Sequence, residues 1–408
     1  MTKKATNTLW TSTFIRLLIL ILFIYNGIAI INSTFSVYIV EQLNGTPADV
    51  SLASSLMIIT AMLFRPVAGF LIDRFGRRIT LALSLGFTAL ISLAYLLPQG
   101  VVGLALLRFL MGIPFAMNTT GLATLRTDLI PDDQRGNGFN ISTIAIMLSA
   151  LVIGPNLGYL ILNTSGFGLL FPIAAGMLFM AIGNLLLMKF EDIKTYTNRL
   201  SLKEIFEPRA IWFSLILGML FIGWPGVLTY GPLYSLEVGL SFGGFYFLCF
   251  GIGLVLSQFI AKGILGENKP PALTALAIAL VIAGHAVIGF LRSRVGFLGG
   301  AVLIGAGYGL SFSIFNKLAF DLVEPERRGR CSATIYIAQD IGATIGIYAY
   351  SFMAESFGSF SYSYLMAAAV TILPVILLLL FALPDYKRKC SPKDFQDIGM
   401  DIEARILN

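Results

Sequence analysis

The sequence predicts an all-α integral membrane protein with twelve transmembrane helices in two six-helix bundles and with both termini in the cytoplasm. The first observation is composition: 57% of the 408 residues are hydrophobic and 12% are charged, whereas a soluble globular protein carries about 25% charged residues. The second is a series of apolar segments, each about as long as the ~20 residues that cross a bilayer core. The third is the position of lysine and arginine, which are concentrated on one side of the predicted membrane.

The predicted spans are separated by breaks that carry turn residues, such as Pro98-Gln99-Gly100 and Pro270-Pro271. The basic, apolar start of the chain is long and no small-residue cleavage site follows it, so we interpret it as a retained first span. The approximate limits of the spans are 14–40, 49–72, 79–97, 101–127, 136–163, 167–188, 210–236, 243–265, 271–291, 296–320, 331–355 and 361–383.

Charge placement orients these spans. With the N-terminus inside, the outer loops hold only Arg292 and Arg294, and the other loop cations lie on the cytoplasmic side. This asymmetry explains the net charge of +6 without a nucleic-acid partner. We expect a functional monomer in the lipid bilayer of a cell membrane.

The longest inner segment divides the spans six and six. We predict an N-terminal bundle over 1–188, a cytoplasmic linker over 189–209, a C-terminal bundle over 210–385 and a cytoplasmic tail over 386–408. The inner loops "DLIPDDQRG" and "DLVEPERRG" occupy equivalent places in the two halves and resemble each other. Parallel half-repeats of this kind are a known transporter arrangement, with the substrate site at their interface.

Motifs of other function classes are not found in the sequence. Cys249, Cys331 and Cys390 are scattered, and His285 is the single histidine, so we expect no metal site and no cofactor. A P-loop, an HExxH motif and a nucleophile elbow are lacking, which argues against an enzyme. A transport-dead sensor is disfavoured because the predicted loops are short.

One short segment, "GFLIDRFGRR" at 69–78, concentrates charge between spans two and three. We expect its first glycine to allow close helix approach, its acid to cap a helix or pair with a cation, and its second glycine to support the tight turn. The segment resembles the G-x-L-x-D-R-x-G-R-R signature of the major facilitator superfamily. The predicted motif residues are Gly69, Asp73, Arg74, Gly76, Arg77 and Arg78.

Two further segments resemble motifs of the same family. "LRFLMGIPFA" carries Arg108 and is similar to the buried-arginine motif, which implies proton coupling. "ALVIGPNLGY" carries Gly154, Pro155 and Gly158 and is similar to the antiporter motif of proton-coupled exporters, although Ala150 and Tyr159 stand where that motif has glycine.

The resemblance extends to about residue 385 and also includes "FRPVAG" at 64–69, which is similar to the second span of drug–proton antiporters. It implies that spans one, four, seven and ten line a central cavity, and that spans two, five, eight and eleven form the moving interface. The second half lacks a good copy of the charged signature.

Ionisable side chains inside a bilayer cost roughly 2.5–3.5 kcal/mol on insertion scales, so each is a candidate for function. Arg108 lies ~27 Å from cytoplasmic Arg126 along span four, and Asp340 lies ~15 Å from Arg330, near the midplane. We predict Asp340 and Arg108 as the proton-coupling residues. The alternative for Arg108 is a static helix–helix contact. The alternatives for Asp340 are that it binds a cationic group of the substrate or that it is the fixed partner of a cation such as Lys317.

Other polar and aromatic side chains are candidates for the cavity wall. Arg65 on span two is predicted to be a gating or structural cation. Drug–proton antiporters often carry an acid on span one; this sequence has none there, so Glu237 is a second, shallower candidate for coupling. The predicted substrate-cavity residues are Asn26, Asn32, Asn118, Tyr230, Tyr234, Asn316 and Lys317.

The sequence therefore predicts a proton-coupled secondary transporter that exports a small organic solute by alternating access, with the solute and protons as its partners. A drug-like, multidrug cargo is compatible with this prediction. Two alternatives stay open: a dedicated exporter of a polar or zwitterionic metabolite such as a metallophore, and a sugar or metabolite importer or uniporter.

Overall fold

The computed structural model describes residues 9–97, 100–131, 134–192, 206–240, 242–265, 270–324 and 328–389. The helices of the first half are α1 (Ser12–Leu43), α2 (Pro47–Phe75), α3 (Arg77–Ala94), α4 (Val101–Leu129), α5 (Arg135–Leu148) and α6 (Gly154–Leu187). A π-helical turn, Ser149–Ile153, joins α5 to α6.

The second half begins with a 3₁₀ turn, Pro208–Ala210, and contains a π-helical turn, Leu378–Ala382. Its helices are α7 (Ile211–Leu220), α8 (Pro225–Leu228), α9 (Gly231–Glu237), α10 (Gly244–Leu265), α11 (Pro270–Leu291), α12 (Arg294–Asp321), α13 (Arg328–Phe357), α14 (Phe360–Val370), α15 (Ile372–Leu377) and α16 (Leu383–Lys389).

In the described part of the chain, nine helical segments are long and apolar enough to cross a membrane. One of them, 137–187, bends at Gly166, where φ is 70°. The bend lies where the predicted fifth and sixth spans meet. The total of twelve spans and the side of the membrane that holds the termini stay predictions.

We name the two ends of the molecule by the turns that they carry. The basic side holds the junction of α2 and α3 at Gly76, and the opposite side holds the turn between α1 and α2 at Asn44. That turn is built by local sequence: Asn44 takes φ 51°, and Thr46 with Asp49 forms a reciprocal capping box at the start of α2. The sequence predicts that the basic side is cytoplasmic.

The two halves are packed in a similar way. In the first half, α2 packs on α4, and α3 packs on α4 and α6. In the second half, α10 packs on α12, and α11 packs on α12 and α14. The equivalent pairs agree with the half-repeat that the sequence indicated.

The seventh predicted span is broken into α7, α8 and α9 at Gly223–Trp224 and again near Tyr230. A broken helix frees backbone carbonyls that need partners inside a membrane. Buried tyrosines supply them: Tyr308 donates to the Leu220 carbonyl at 2.7 Å, and Tyr364 donates to the Gly226 carbonyl at 2.6 Å. The tyrosines of this half therefore stabilise a discontinuous span.

The halves meet along α2 and α13, and along α10, α6 and the π-helical turn. Near the opposite side, Ala48 N–H donates to Glu355 at 2.8 Å and Ser55 is hydrogen-bonded to Tyr348 at 2.7 Å. Within the described residues, the hydrogen bonds that join the halves run along α2 and end at Arg65. The halves are thus held together from the opposite side, at Ala48, along α2 to Arg65.

Candidate functional site

Arg65 and Asp340 form an ion pair between the two halves. Nε and Nη2 of Arg65 lie 3.1 Å and 3.0 Å from the same oxygen, Oδ2 of Asp340. Each side chain is 19% exposed, so the pair is partly accessible. The sequence suggested Lys317 as a possible cation partner of Asp340; the structure places Arg65 there instead.

Neighbouring side chains hold the pair in place. The guanidinium of Arg65 lies 5.4 Å from the ring centroid of Tyr336, one helical turn before Asp340 on α13. Nη1 of Arg65 has a long contact of 3.5 Å with the Thr119 hydroxyl on α4. The Thr344 hydroxyl donates to the Asp340 carbonyl at 2.8 Å, which restricts the backbone of α13.

Tyr25 on α1 and Arg126 on α4 complete the cluster. Tyr25 is close enough to Arg65, Arg126 and Tyr336 to interact electrostatically with all three. Arg126 is fixed by α5: its guanidinium donates to the hydroxyls of Ser142 and Thr143 and to the Phe139 carbonyl. We call Tyr25, Arg65, Arg126, Tyr336 and Asp340 the seam site.

The seam site contains two cations and one acid. Among the described residues, Oδ1 of Asp340 and the hydroxyls of Tyr25 and Tyr336 have no hydrogen-bond partner. Tyr336 is half exposed. The site therefore presents acceptor, donor and aromatic groups that a small polar molecule could contact.

Arg108, the predicted coupling cation on α4, lies apart from this pair. It is buried, its Nη1 donates to Oδ1 of Asn32 at 2.7 Å and lies 3.1 Å from Sδ of Met57, and its guanidinium stacks on the ring of Phe35. Within the described residues, its Nε has no hydrogen-bond partner and no carboxylate contacts its guanidinium. Burial with incomplete hydrogen bonding is costly.

The three predicted asparagines of the first half fall into two groups. Asn32 and Asn26 lie on α1, where Asn32 is bound to Arg108 and the buried Oδ1 of Asn26 has no partner in the described residues. Asn118 instead packs against α3, where it accepts from Ser84 at 2.5 Å and donates to Thr88 at 2.9 Å. Asn118 is therefore not brought to the seam site.

Tyr230 and Tyr234 also lie outside the seam site. Tyr234 is buried against Phe297 and Tyr364 and donates to the Ile288 carbonyl at 3.4 Å. Tyr230 is hydrogen-bonded to Ser51 of the other half at 2.7 Å. Both side chains serve packing in this conformation, and Tyr230 in addition joins the halves.

The remaining polar candidates have varied surroundings. Asn316 donates to the Phe312 carbonyl at 2.6 Å, and Lys317 is exposed. Glu237 accepts from the Phe360 N–H at 3.0 Å, which caps the start of α14. His285 is fully buried and lies 2.8 Å from the Val281 carbonyl.

The charged turn forms a network at the basic side of the first half. Gly76 has φ 90°, a conformation that favours glycine. The backbone N–H of Arg77 donates to Asp192 at 2.7 Å, and its side chain is paired with Asp128 at 2.7 Å. Asp192 thus caps α3 and ties the segment after α6 to the turn.

The other residues of the turn contribute in different ways. Arg78 donates to the Met188 carbonyl at 2.8 Å, Asp73 lies 3.9 Å from Arg77, and Arg74 lies over the rings of Phe70 and Phe75. The expectation for Gly69 is wrong in this conformation, because a Cβ built on it would meet nothing within 4 Å.

The glycines of "GPNLGY" pack α6 against α1. A Cβ on Gly154 would meet Ala29, and a Cβ on Gly158 would lie 3.0 Å from the Ile30 carbonyl oxygen. Pro155 follows the π-helical turn at the start of α6. The motif therefore combines a close helix contact with a local change of helical pitch.

A separate cavity of about 450 Å³ lies near the opposite side, at the seam between the halves. Residues from α1 and α6, among them Glu41 and Tyr159, line it together with Leu236 and Gly243 of the second half. It shares no lining residue with the seam site.

Sequence reasoning missed three residues of the seam site and the capping role of Asp192. Arg126 was interpreted as a topology determinant only. Tyr336 and Asp340 are four residues apart and therefore share a helix face, which is a signal that could have identified Tyr336. Nothing in the sequence distinguishes Tyr25 from the other aromatic residues of its span.

Comparison with known proteins gives a consistent result. A family model of the Major Facilitator Superfamily matches residues 17–347 and 297–400. The chain is 24% identical over 388 residues to the staphylopine export protein of Staphylococcus aureus, a match that covers 89% of this chain and 94% of that protein.

Two other proteins are similar to this chain, one over a shorter stretch of sequence and one in its three-dimensional structure. The quinolone resistance protein NorA of Staphylococcus aureus is 25% identical over 138 residues, which are 34% of this chain and 35% of that protein. A POT family transporter solved in complex with 5-aminolevulinic acid has a TM-score of 0.72 at 17% identity and covers 92% of this chain and 96% of that one. The structural likeness concerns the fold alone.

Proposed function

This chain belongs to the major facilitator superfamily and is a multi-pass transporter of the bacterial cell membrane, and from that premise we propose that it exports a small organic solute by alternating access, driven by protons. In this mechanism the two halves rock about a central site, which opens to one side of the membrane at a time.

The observation that carries this proposal is the Arg65–Asp340 pair. It joins the halves at the end of their hydrogen-bonded interface, so its formation depends on how the halves are oriented. Arg65 is the charged group that acts on Asp340 within the described residues. A protonated Asp340 loses the ionic attraction to Arg65, and the orientation that the pair stabilises then becomes less favourable.

Export is favoured over import by the helix contact that Gly154 and Gly158 make with α1. This is the segment that resembles the antiporter motif. The likeness to a protein named for staphylopine export, over nearly the full length of both chains, supports the same direction.

Arg108 is proposed as a second coupling group. It is a buried cation without a carboxylate partner among the described residues, and Asn32 on α1 holds it. Because α1 and α4 line the central cavity in the proposed mechanism, a solute or a proton that changes the surroundings of Arg108 would change the contact between these helices.

A dedicated exporter of a polar or zwitterionic metabolite is the second candidate. It is favoured by the charges of the seam site, where Arg65 and Arg126 outnumber Asp340. An excess of positive charge repels the lipophilic cations that a multidrug exporter handles. The match to NorA covers only about a third of this chain.

The proposal is tested in everted membrane vesicles that contain the protein and are energised to an acidic interior. Solutes that raise the melting temperature of the purified protein are added, because a ligand that binds the folded state stabilises it. Proton-coupled export predicts that such a solute releases protons and restores the fluorescence of a pH-sensitive dye. Uptake that ignores the pH gradient would instead indicate a uniporter, and solute-driven acidification would indicate symport.

A further inference from the structure

We propose that the seam site recognises a zwitterion, whose ammonium group binds Asp340 and whose carboxylate binds Arg65, so that one substrate bridges the two halves. This inference rests on the proposed function and names the substrate class of the same site.

The first argument is hydrogen-bond supply. Both Arg65 nitrogens that contact Asp340 use one oxygen, Oδ2, and Oδ1 has no partner among the described residues. Among the residues that the structure describes, Nη1 of Arg65 has only its 3.5 Å contact with Thr119. A negatively charged hydrogen-bond acceptor and a positively charged donor thus lie side by side with unused hydrogen-bonding capacity. The two side chains are each 19% exposed.

The second argument is the shape of the surroundings. Tyr336 is half exposed beside Arg65, and Tyr25 of the first half is close enough to Tyr336 to interact with it electrostatically. Their hydroxyls have no hydrogen-bond partner in the described part of the chain, and their rings offer apolar faces. The site is therefore suited to a compact zwitterion that carries an aromatic or apolar body.

The third argument is the sign of the coupling. A purely anionic solute competes with Asp340 for Arg65, so protonation of Asp340 would favour its binding and the two would move together. Exchange against protons needs the reverse: the solute must bind the ionised carboxylate. The cationic group of the solute then binds Asp340, and Arg65 loses its carboxylate partner. The anionic group of the solute replaces that partner.

The charged and titratable groups around Asp340 also favour a zwitterion. Arg65 on α2 is the charged group that acts on it directly, and Tyr25 on α1, Arg126 on α4 and Tyr336 on α13 form the rest of the site. A solute with only a positive charge would meet Arg65 beside Asp340, with Arg126 near Tyr25 and Tyr336. A solute with both charges meets a complementary group for each.

Three matched probes test the inference on the purified full-length protein: L-phenylalanine, its methyl ester and N-acetyl-L-phenylalanine. They share one aromatic body: phenylalanine carries both charges, the methyl ester carries only the positive charge and the N-acetyl derivative carries only the negative charge. We expect phenylalanine at millimolar concentration to raise the melting temperature more than either derivative. An equal or larger shift from a derivative, or no shift from phenylalanine, overturns the inference.

Variants locate the binding. Asp340→Asn and Arg65→Gln are each expected to reduce the phenylalanine shift, because each removes one of the two ionic contacts and leaves the other, and the matched surface controls Asp321→Asn and Arg209→Gln are expected to keep it in full. Retention of the shift in both seam variants contradicts the assignment.

A measurement on the unmodified protein applies even if those variants do not fold. Phenylalanine stays zwitterionic between neutral and mildly acidic pH, so its binding should weaken on acidification as Asp340 becomes protonated. Tighter binding at acidic pH would contradict the bridging mode.

The outcomes separate this inference from the proposed function. Zwitterion binding at the seam site without any proton release in everted vesicles would leave the site standing and refute proton-coupled export. Proton release with another solute, in a protein that ignores phenylalanine, would retain export and refute the zwitterion site.

Discussion

Two nitrogens of Arg65 hold a single carboxylate oxygen of Asp340 across the interface between the halves, at 3.1 Å and 3.0 Å. The two residues are separated by 275 positions in the chain. Within the described residues this is the hydrogen-bonded contact between the halves that lies nearest to the basic side. A pair in this place is made or broken when the halves rock, so it can connect protonation with conformation.

The pair should be energetically coupled. Removal of one partner leaves the other charge half-buried and alone, which is more costly than removal of both. We therefore expect Arg65→Gln and Asp340→Asn each to lower the melting temperature, and the double variant to lower it by less than the sum, with a coupling free energy of about 1 kcal/mol. The melting temperatures of the four proteins in the cycle measure this. Simple additivity would show that the contact contributes nothing to the folded state.

The contacts near the opposite side should separate during transport. Ala48 and Glu355 are in contact across the halves, so cysteines at both positions, in a protein whose three native cysteines are replaced by serine, are expected to form a cross-link. The cross-link should abolish transport and its reduction should restore it, because a locked interface cannot open.

The control for this cross-link lies within one half. Arg16 and Asn184 are in contact in the first half, and a cross-link between cysteines there should leave transport unchanged. Full transport with a complete cross-link between positions 48 and 355 would contradict alternating access about this interface.

Gly76 should tolerate no side chain. Its φ is 90° with ψ 164°, a region that is essentially limited to glycine, and a Cβ would meet the Asp192 carboxylate, so Gly76→Ala is expected to cost about 1–3 kcal/mol from the backbone alone. Gly86→Ala is the matched control, because a Cβ there meets nothing within 4 Å. Thermal unfolding of both variants measures the difference. Equal melting temperatures would mean that the turn rearranges freely.

Arg108 should need its guanidinium and not only its charge. Arg108→Lys keeps a cation but loses the planar group that contacts Asn32 and stacks on Phe35. We expect both Arg108→Lys and Arg108→Ala to lose at least tenfold in proton-driven transport, an effect of about 1.4 kcal/mol on the barrier. Arg209→Lys, on the exposed surface, is the matched control. Wild-type transport in Arg108→Lys would remove the guanidinium from the mechanism.

The helical architecture was predictable because each span must satisfy its own backbone in lipid. The predicted spans overlap helices of the structure, and the charged turn has the glycine conformation that its sequence indicates at Gly76. The seventh span, predicted as the single segment 210–236, is broken just before Pro225 and again just before Pro232, and these prolines lie in the first turns of α8 and α9.

The seam site was only partly predictable. The depth of Asp340 in its span follows from helical rise, but its partner depends on how two distant helices cross, which hydropathy does not encode. For the same reason Asn118 and Tyr234, polar residues on predicted cavity spans, are turned toward neighbouring helices. The rotation of each helix about its own axis determines which of its side chains face the cavity, and hydropathy does not give that rotation.

The most direct test of the account measures proton release by everted vesicles that contain Asp340→Asn, with Asp321→Asn as control, using a solute that stabilises the wild-type protein. The same variant is assayed for solute exchange without a pH gradient. We predict that Asp340→Asn abolishes proton-driven transport and retains part of the exchange, while the control behaves as wild type. Proton release at the wild-type rate in Asp340→Asn would contradict the central claim, because the carboxylate that joins the halves would then have no part in coupling.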